Sequence, residues 1–134
     1  AERYEVLQWL NWQMGGLGPM AGQNHHFNHY APEPVPYGIK RYTEETTRLY
    51  GVLNKQLADQ DYVAGGYSIA DMAIYPWVRL HEHQKQDISQ FPHLQRYLAT
   101  MDARSDVQAA LAKGDEFDWE ASLTEEKLTQ LLEI

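Results

Sequence analysis

Cysteine is absent from the chain, and that absence removes a protein thiol nucleophile, any disulfide and any thiolate metal site. Thiol chemistry at this protein has to use thiols that something else brings. Long apolar runs are missing too. No stretch approaches the ~20 residues that cross a bilayer, and the first residues lack the basic-then-apolar order of a secretory signal. Basic residues are the minority, 11 against 19 acidic for a net charge of −8, which argues against nucleic acid and against an anionic membrane as partners. A local basic pocket for a small anion stays open, and these absences together point to a cytoplasmic protein. Strand signals are lacking as well, since no segment alternates apolar and polar residues.

What is present reads as helix throughout. With 134 residues and 43% apolar content, one domain can bury a core without metals or disulfides. Val6, Leu7, Leu10 and Met14 recur at helical spacing between Arg3 and Met14, and Gly15-Gly16 is expected to interrupt or kink that helix. Residues 31–37 hold three prolines and read as a loop. The stripe Ile39, Tyr42, Thr46, Leu49, Tyr50, Leu53 and Leu57 then marks a long amphipathic helix, with Arg41, Glu44, Glu45, Arg48 and Gln56 off it. Two such helices side by side suggest an antiparallel bundle. Phe91-Pro92 opens a helix with Leu94, Tyr97, Leu98 and Met101 on one face, and Ser105 to Gln108 reads as a capping box that starts another.

Gly65-Gly66-Tyr67-Ser68-Ile69-Ala70-Asp71 is the best specified stretch. A glycine turn runs into a helix whose Ser68 accepts from the Asp71 amide while the Asp71 carboxylate reaches back to the Ser68 amide. Asp71 also meets the positive end of the helix dipole. A carboxylate at a helix start could serve as a base, but capping accounts for it, and its loss is expected to cost about 1–2 kcal/mol. Met72 to Val78 is apolar nearly all round, which predicts a helix buried on every side, bent by Pro76 inside it.

This capped helix resembles the core helix of the C-terminal domain of glutathione transferases. Trp9-Leu10-Asn11-Trp12-Gln13-Met14-Gly15-Gly16-Leu17-Gly18-Pro19-Met20-Ala21-Gly22-Gln23-Asn24-His25-His26-Phe27-Asn28-His29, followed by Pro36-Tyr37-Gly38-Ile39-Lys40-Arg41-Tyr42, resembles the bacterial nu class, whose members are glutathione-dependent disulfide-bond oxidoreductases. The match covers roughly the first 115 residues. It implies an all-α helical bundle of the glutathione transferase C-terminal type over residues 1–114, with an acidic tail and a short amphipathic helix over 115–134. It also implies a missing N-terminal thioredoxin-like domain that carries most glutathione contacts, so that this chain is expected to be the C-terminal half of a longer protein and to hold no catalytic residue itself. Glutathione is the implied cosubstrate, a small-molecule disulfide or electrophile the implied substrate, and a homodimer the implied assembly.

The resemblance carries functional residues over one at a time. Arg41 matches the arginine that binds a glutathione carboxylate, a role that suits a planar guanidinium gripping a carboxylate with two parallel bonds; the competing reading is a surface pair with Glu45, one turn along. Met14, Met20, Asn24 and His25 would line the place where glutathione meets its disulfide partner, and the competing reading is that the glycines around them serve helix packing. His25-His26-x-x-His29 places two imidazoles on one helical face. Closing a metal site there needs a further ligand, so no metal is assigned, and His81-x-His83 reads as a solvated helix edge. Tyr4, Trp9, Trp12, Tyr37, Tyr42, Tyr50 and Tyr75 read as core or interface residues. The tail, with Phe117 and Trp119 among acids and Leu128, Leu131 and Leu132 in a stripe, either packs on its own domain or docks on a partner. The alternative to the enzyme reading is a non-catalytic binding or assembly module.

Overall fold

A computed structural model describes residues 2–116, and every described element is helical apart from one isolated bridge between Ala64 and Gly66. The order is α1 (Glu2–Trp12), a π turn (Gln13–Leu17), α2 (Gly18–His25), a second π turn (His26–Tyr30), α3 (Pro36–Gln56), α4 (Ile69–Val78), a 3₁₀ turn (Ile88–Gln90), α5 (Pro92–Asp102) and α6 (Ser105–Asp115). The expected all-α bundle is therefore what the described residues form. One compact unit runs Ala1–Met101, and a second begins at Asp102. Residues 117–134, with the aromatic and leucine-rich part of the acidic tail, lie outside the described residues.

Gly15-Gly16 does not end the first helix. The backbone takes up the glycines as a π turn and continues into α2, because one extra residue in a turn re-aims the following face without breaking the hydrogen-bond ladder. The re-aimed face packs α2 on α3 and on α4, while α1 packs on α4. Close approach explains two of the glycines. A Cβ on Gly18 would lie 2.6 Å from Gln13 Nε2 and 3.2 Å from the Trp77 indole nitrogen, and one on Gly22 would lie 3.3 Å from the Trp77 ring.

The α3 stripe buries Thr46, Leu49, Tyr50 and Leu53, and these pack with Leu17, Ala21, Val63, Ile74, Val78, Leu94, Tyr97 and Met101 as the core. At the start of α4 the capping box forms with both halves present. Ser68 Oγ accepts from the Ala70 amide at 3.3 Å, and Asp71 Oδ2 accepts from the Ser68 amide at 3.0 Å. Asp71 does more than cap: its Oδ1 accepts from the Val63 amide at 2.9 Å and so fixes the preceding turn to the helix. That turn holds Gly65 at φ +84°. Because a Cβ in this region meets the following carbonyl, Gly65→Ala is expected to lower stability by about 1 kcal/mol; an unchanged midpoint in thermal unfolding would show the turn relaxes freely.

Two expectations are corrected here. α4 is not buried on every side, since Ile69 and Met72 are each 51% exposed and Pro76 is exposed too, so positions 69, 72 and 76 leave an apolar strip open. Ser105 is not a cap. It is the first residue of α6, the N-cap position is Arg104, and no side chain caps that end. The local partners are taken otherwise: Arg104 forks onto Asp106 at 3.0 and 2.9 Å, and Gln108 Nε2 donates to the Asp102 carbonyl at 2.8 Å.

Candidate functional site

The first two turns of α3 build one wall of a groove of about 690 Å³, into which Tyr37, Arg41 and Tyr42 project beside Met20 of α2. Pro36 starts α3 at its first residue, where a missing N–H costs nothing. Gly38 then lets Phe27 reach the helix, since a Cβ there would stand 2.8 Å from the Phe27 ring. Phe27 in turn stacks on Tyr42, with centroids 5.4 Å apart and planes 9° from parallel. The Arg41 guanidinium lies 6.0 Å from the centroid of that same Tyr42 ring.

Arg41 is the cation left over on this wall. Arg48 grips Glu45 with two bonds at 2.8 and 2.7 Å, which holds the Glu45 carboxyl below its usual range. Lys40 faces Glu44 at 3.9 Å, an exposed pair that contributes little. Arg41 forms no hydrogen bond or ion pair among the described residues: Arg48 holds the Glu45 carboxylate, which meets Arg41 only as a nearby positive charge. An exposed, unpaired guanidinium beside two tyrosine rings is suited to an anionic ligand, above all a carboxylate or phosphate that accepts two parallel bonds.

The other residues singled out from sequence lie elsewhere. Met14 is exposed on a second groove of about 450 Å³ that it shares with Gln13, Pro19, Gly22 and Trp77. Met20 and Met14 thus face different grooves. Asn24 lines neither. It is fully buried, donates from Nδ2 to the Gln84 carbonyl at 2.7 Å, and accepts through Oδ1 from Thr43 Oγ1 at 3.0 Å and from Asn28. His25 also lines neither groove. It sits in a histidine cluster with His29 and with His83, far along the chain, and proximity to His83 has no signal in local spacing. Ser68 and Asp71 are occupied by the cap. Among the described residues no group of three or more His, Asp and Glu side chains is arranged to hold a metal ion, and no helix is long and apolar enough to cross a membrane.

The described residues thus form an all-α domain with a groove on whose wall Arg41 stands without a bonded partner among them. The family model described as "Glutathione S-transferase, C-terminal domain" matches residues 39–105, and the chain belongs to this family. It is 50% identical over 119 residues to the disulfide-bond oxidoreductase YfcG of Escherichia coli, a match covering 86% of this chain and 55% of that protein. The chain therefore spans about half the length of that curated relative. Among solved structures, a glutathione transferase from Pseudomonas putida with one glutathione disulfide bound per subunit is similar at 42% identity and a TM-score of 0.76, covering 82% of this chain and 51% of its own. A glutathione transferase from Burkholderia graminis with two glutathione molecules per subunit is similar at 40% identity and a TM-score of 0.75, covering 81% of this chain and 49% of its own.

Proposed function

We propose that this chain is the substrate-side half of a glutathione-dependent disulfide-bond reductase, in which Arg41 grips a carboxylate of glutathione or of a glutathione-containing disulfide. The free guanidinium on the α3 groove carries the reading, and the glutathione and glutathione disulfide bound by the similar transferases support it. A thioredoxin-like N-terminal half would hold and activate the first glutathione. Its thiolate attacks one sulfur of the substrate disulfide, the old S–S bond breaks as the mixed disulfide forms, and the departing thiolate takes a proton from water. A second glutathione thiolate then attacks the mixed disulfide, giving glutathione disulfide and the second reduced thiol. Both attacking thiols come from glutathione, which suits a chain that has no cysteine. Met20, Tyr37 and Tyr42 supply the apolar flank beside the gripped carboxylate. We place the working protein in the cytoplasm as a homodimer, a reading supported by family membership.

Arg41→Ala is expected to weaken glutathione disulfide binding about tenfold or more, since a charge-assisted, bidentate contact is worth roughly 1.5–3 kcal/mol. Calorimetry, or NMR shifts at millimolar ligand, would read it on this chain and on its alanine variant. Equal affinity in both removes Arg41 from the site. Binding by neither leaves the enzyme and assembly-module readings level, since most glutathione contacts are expected in the thioredoxin-like half.

A further inference from the structure

His25 ends α2, His29 lies in the π turn after it, and His83 lies in the turns after α4, yet the three imidazoles form a near-equilateral triangle. Centroids are 5.4 Å apart for His25 and His29, 5.2 Å for His25 and His83, and 5.2 Å for His29 and His83, the last pair stacked within 6° of parallel. Tyr30 stacks on His25 at 5.0 Å and meets His29 edge-on at 4.8 Å. His25 Nε2 is buried and has no hydrogen-bond partner. We propose that His25, His29 and His83 form a pH-sensitive joint that ties the 26–30 turn to the segment after α4 while His25 is neutral, and loosens that tie when His25 takes up a proton.

Neutral imidazoles stack, and one of them tolerates an orphan ring nitrogen. An imidazolium there would bring a buried, unpaired N–H and a positive charge about 5 Å from two further sites of protonation. Burial is the largest cause that pushes His25 below its ordinary value, and His83 and then His29 push it the same way. No carboxylate acts on it. On α3, the hydroxyls of Thr43 and Thr47 bind Asn24, Asn28 and Gln86, the neighbours of the joint in sequence, rather than any charge. Glu33 shares a small groove with His29 but forms no ion pair with it among the described residues, and Glu82 and Lys85 flank His83 in its own turn with one charge of each sign. His81 Nδ1 is buried and unpartnered as well, in the same segment.

The sign of the linkage follows from the lowered value. Well above the ordinary histidine value, folded and unfolded chains are both neutral at His25 and the joint is intact. As pH falls through that value the unfolded chain binds the proton first, so stability is lost from there down to the folded value. The loss reaches a buried neighbouring contact, because Asn24 precedes His25 and Gln84 follows His83, and these two are bonded directly.

An NMR titration of the imidazole C–H signals, run alongside thermal unfolding at about pH 7.5 and about pH 5.5, tests this on the full chain. In the natural sequence His25 should titrate below an ordinary histidine, and His83→Gln, at an exposed position, should move it back up. The same variant should shrink the acid-induced drop in midpoint by a few degrees, and His29→Gln should act in the same direction but less. An ordinary or raised His25 titration, or a His83→Gln variant with the same titration and the same acid response, would overturn the joint.

Discussion

Asp71→Ala is expected to lower the unfolding free energy by about 3 kcal/mol or more, well beyond the loss of an ordinary cap. The side chain is fully buried and serves three donors: the Val63 amide at 2.9 Å, the Ser68 amide at 3.0 Å and the Ser68 hydroxyl at 3.2 Å. Removing it strands the Val63 and Ser68 amides where water does not reach easily, and each orphan costs roughly 1–3 kcal/mol. Asn at this position keeps one acceptor but turns its amide N–H₂, itself a donor, toward a donor, so Asp71→Asn is expected to lose about 2 kcal/mol. Burial pushes the Asp71 carboxyl above its usual range, against the pull of its hydrogen bonds. A raised value means that its contribution is full below the ordinary carboxylate range and declines as pH rises through the folded value. The alanine deficit should accordingly be larger near pH ~4 than at neutrality. Urea unfolding of both variants at the two pH values would read it, and a neutral-pH loss under about 1 kcal/mol would mean that the turn finds other acceptors.

That Asp71 was visible in the sequence while its full weight was not has a physical reason. A capping box is local: Ser68 and Asp71 stand three residues apart, and spacing alone brings the carboxylate to the Ser68 amide. The bond to Val63 depends on how the glycine turn folds back, which spacing does not encode. The α3 stripe was legible for the same local reason, since a period of 3.6 puts Thr46, Leu49, Tyr50 and Leu53 on one face. Competition among near neighbours was not. Glu45 has Arg41 on one side and Arg48 on the other, both within a helical turn, and only side-chain geometry gives it to Arg48 and frees Arg41. Likewise Ser105 yields the end of α6 to Arg104. The exposed strip at Ile69 and Met72 reads as core because composition reports apolarity, not what covers it. Longest in range is the pairing of Asn24 and His25 with Gln84 and His83. Local signals, period and cap, hold nothing that joins positions some sixty residues apart.

Gln84→Ala is the second large effect, expected at about 3–4 kcal/mol. Gln84 is fully buried although it sits in a run of turns, and its side chain bridges two elements. Tyr50 of α3 donates its hydroxyl to Oε1 at 2.8 Å, while Nε2 donates to the Trp77 carbonyl of α4 at 2.8 Å. Its own carbonyl accepts from Asn24 Nδ2 at 2.7 Å and from Gln86 Nε2 at 3.1 Å. Alanine keeps the carbonyl but strands the Tyr50 hydroxyl, whose burial already pushes its ionisation far up, and leaves the Trp77 carbonyl without this donor. A cavity the size of the lost side chain adds to the cost. Tyr50→Phe alone removes the hydroxyl together with its need for an acceptor and should lose only about 1 kcal/mol. In the double variant one orphan disappears, so the two losses should fall short of adding by about 1 kcal/mol or more. Strict additivity in a urea-unfolding cycle would show that the bridge carries no coupling.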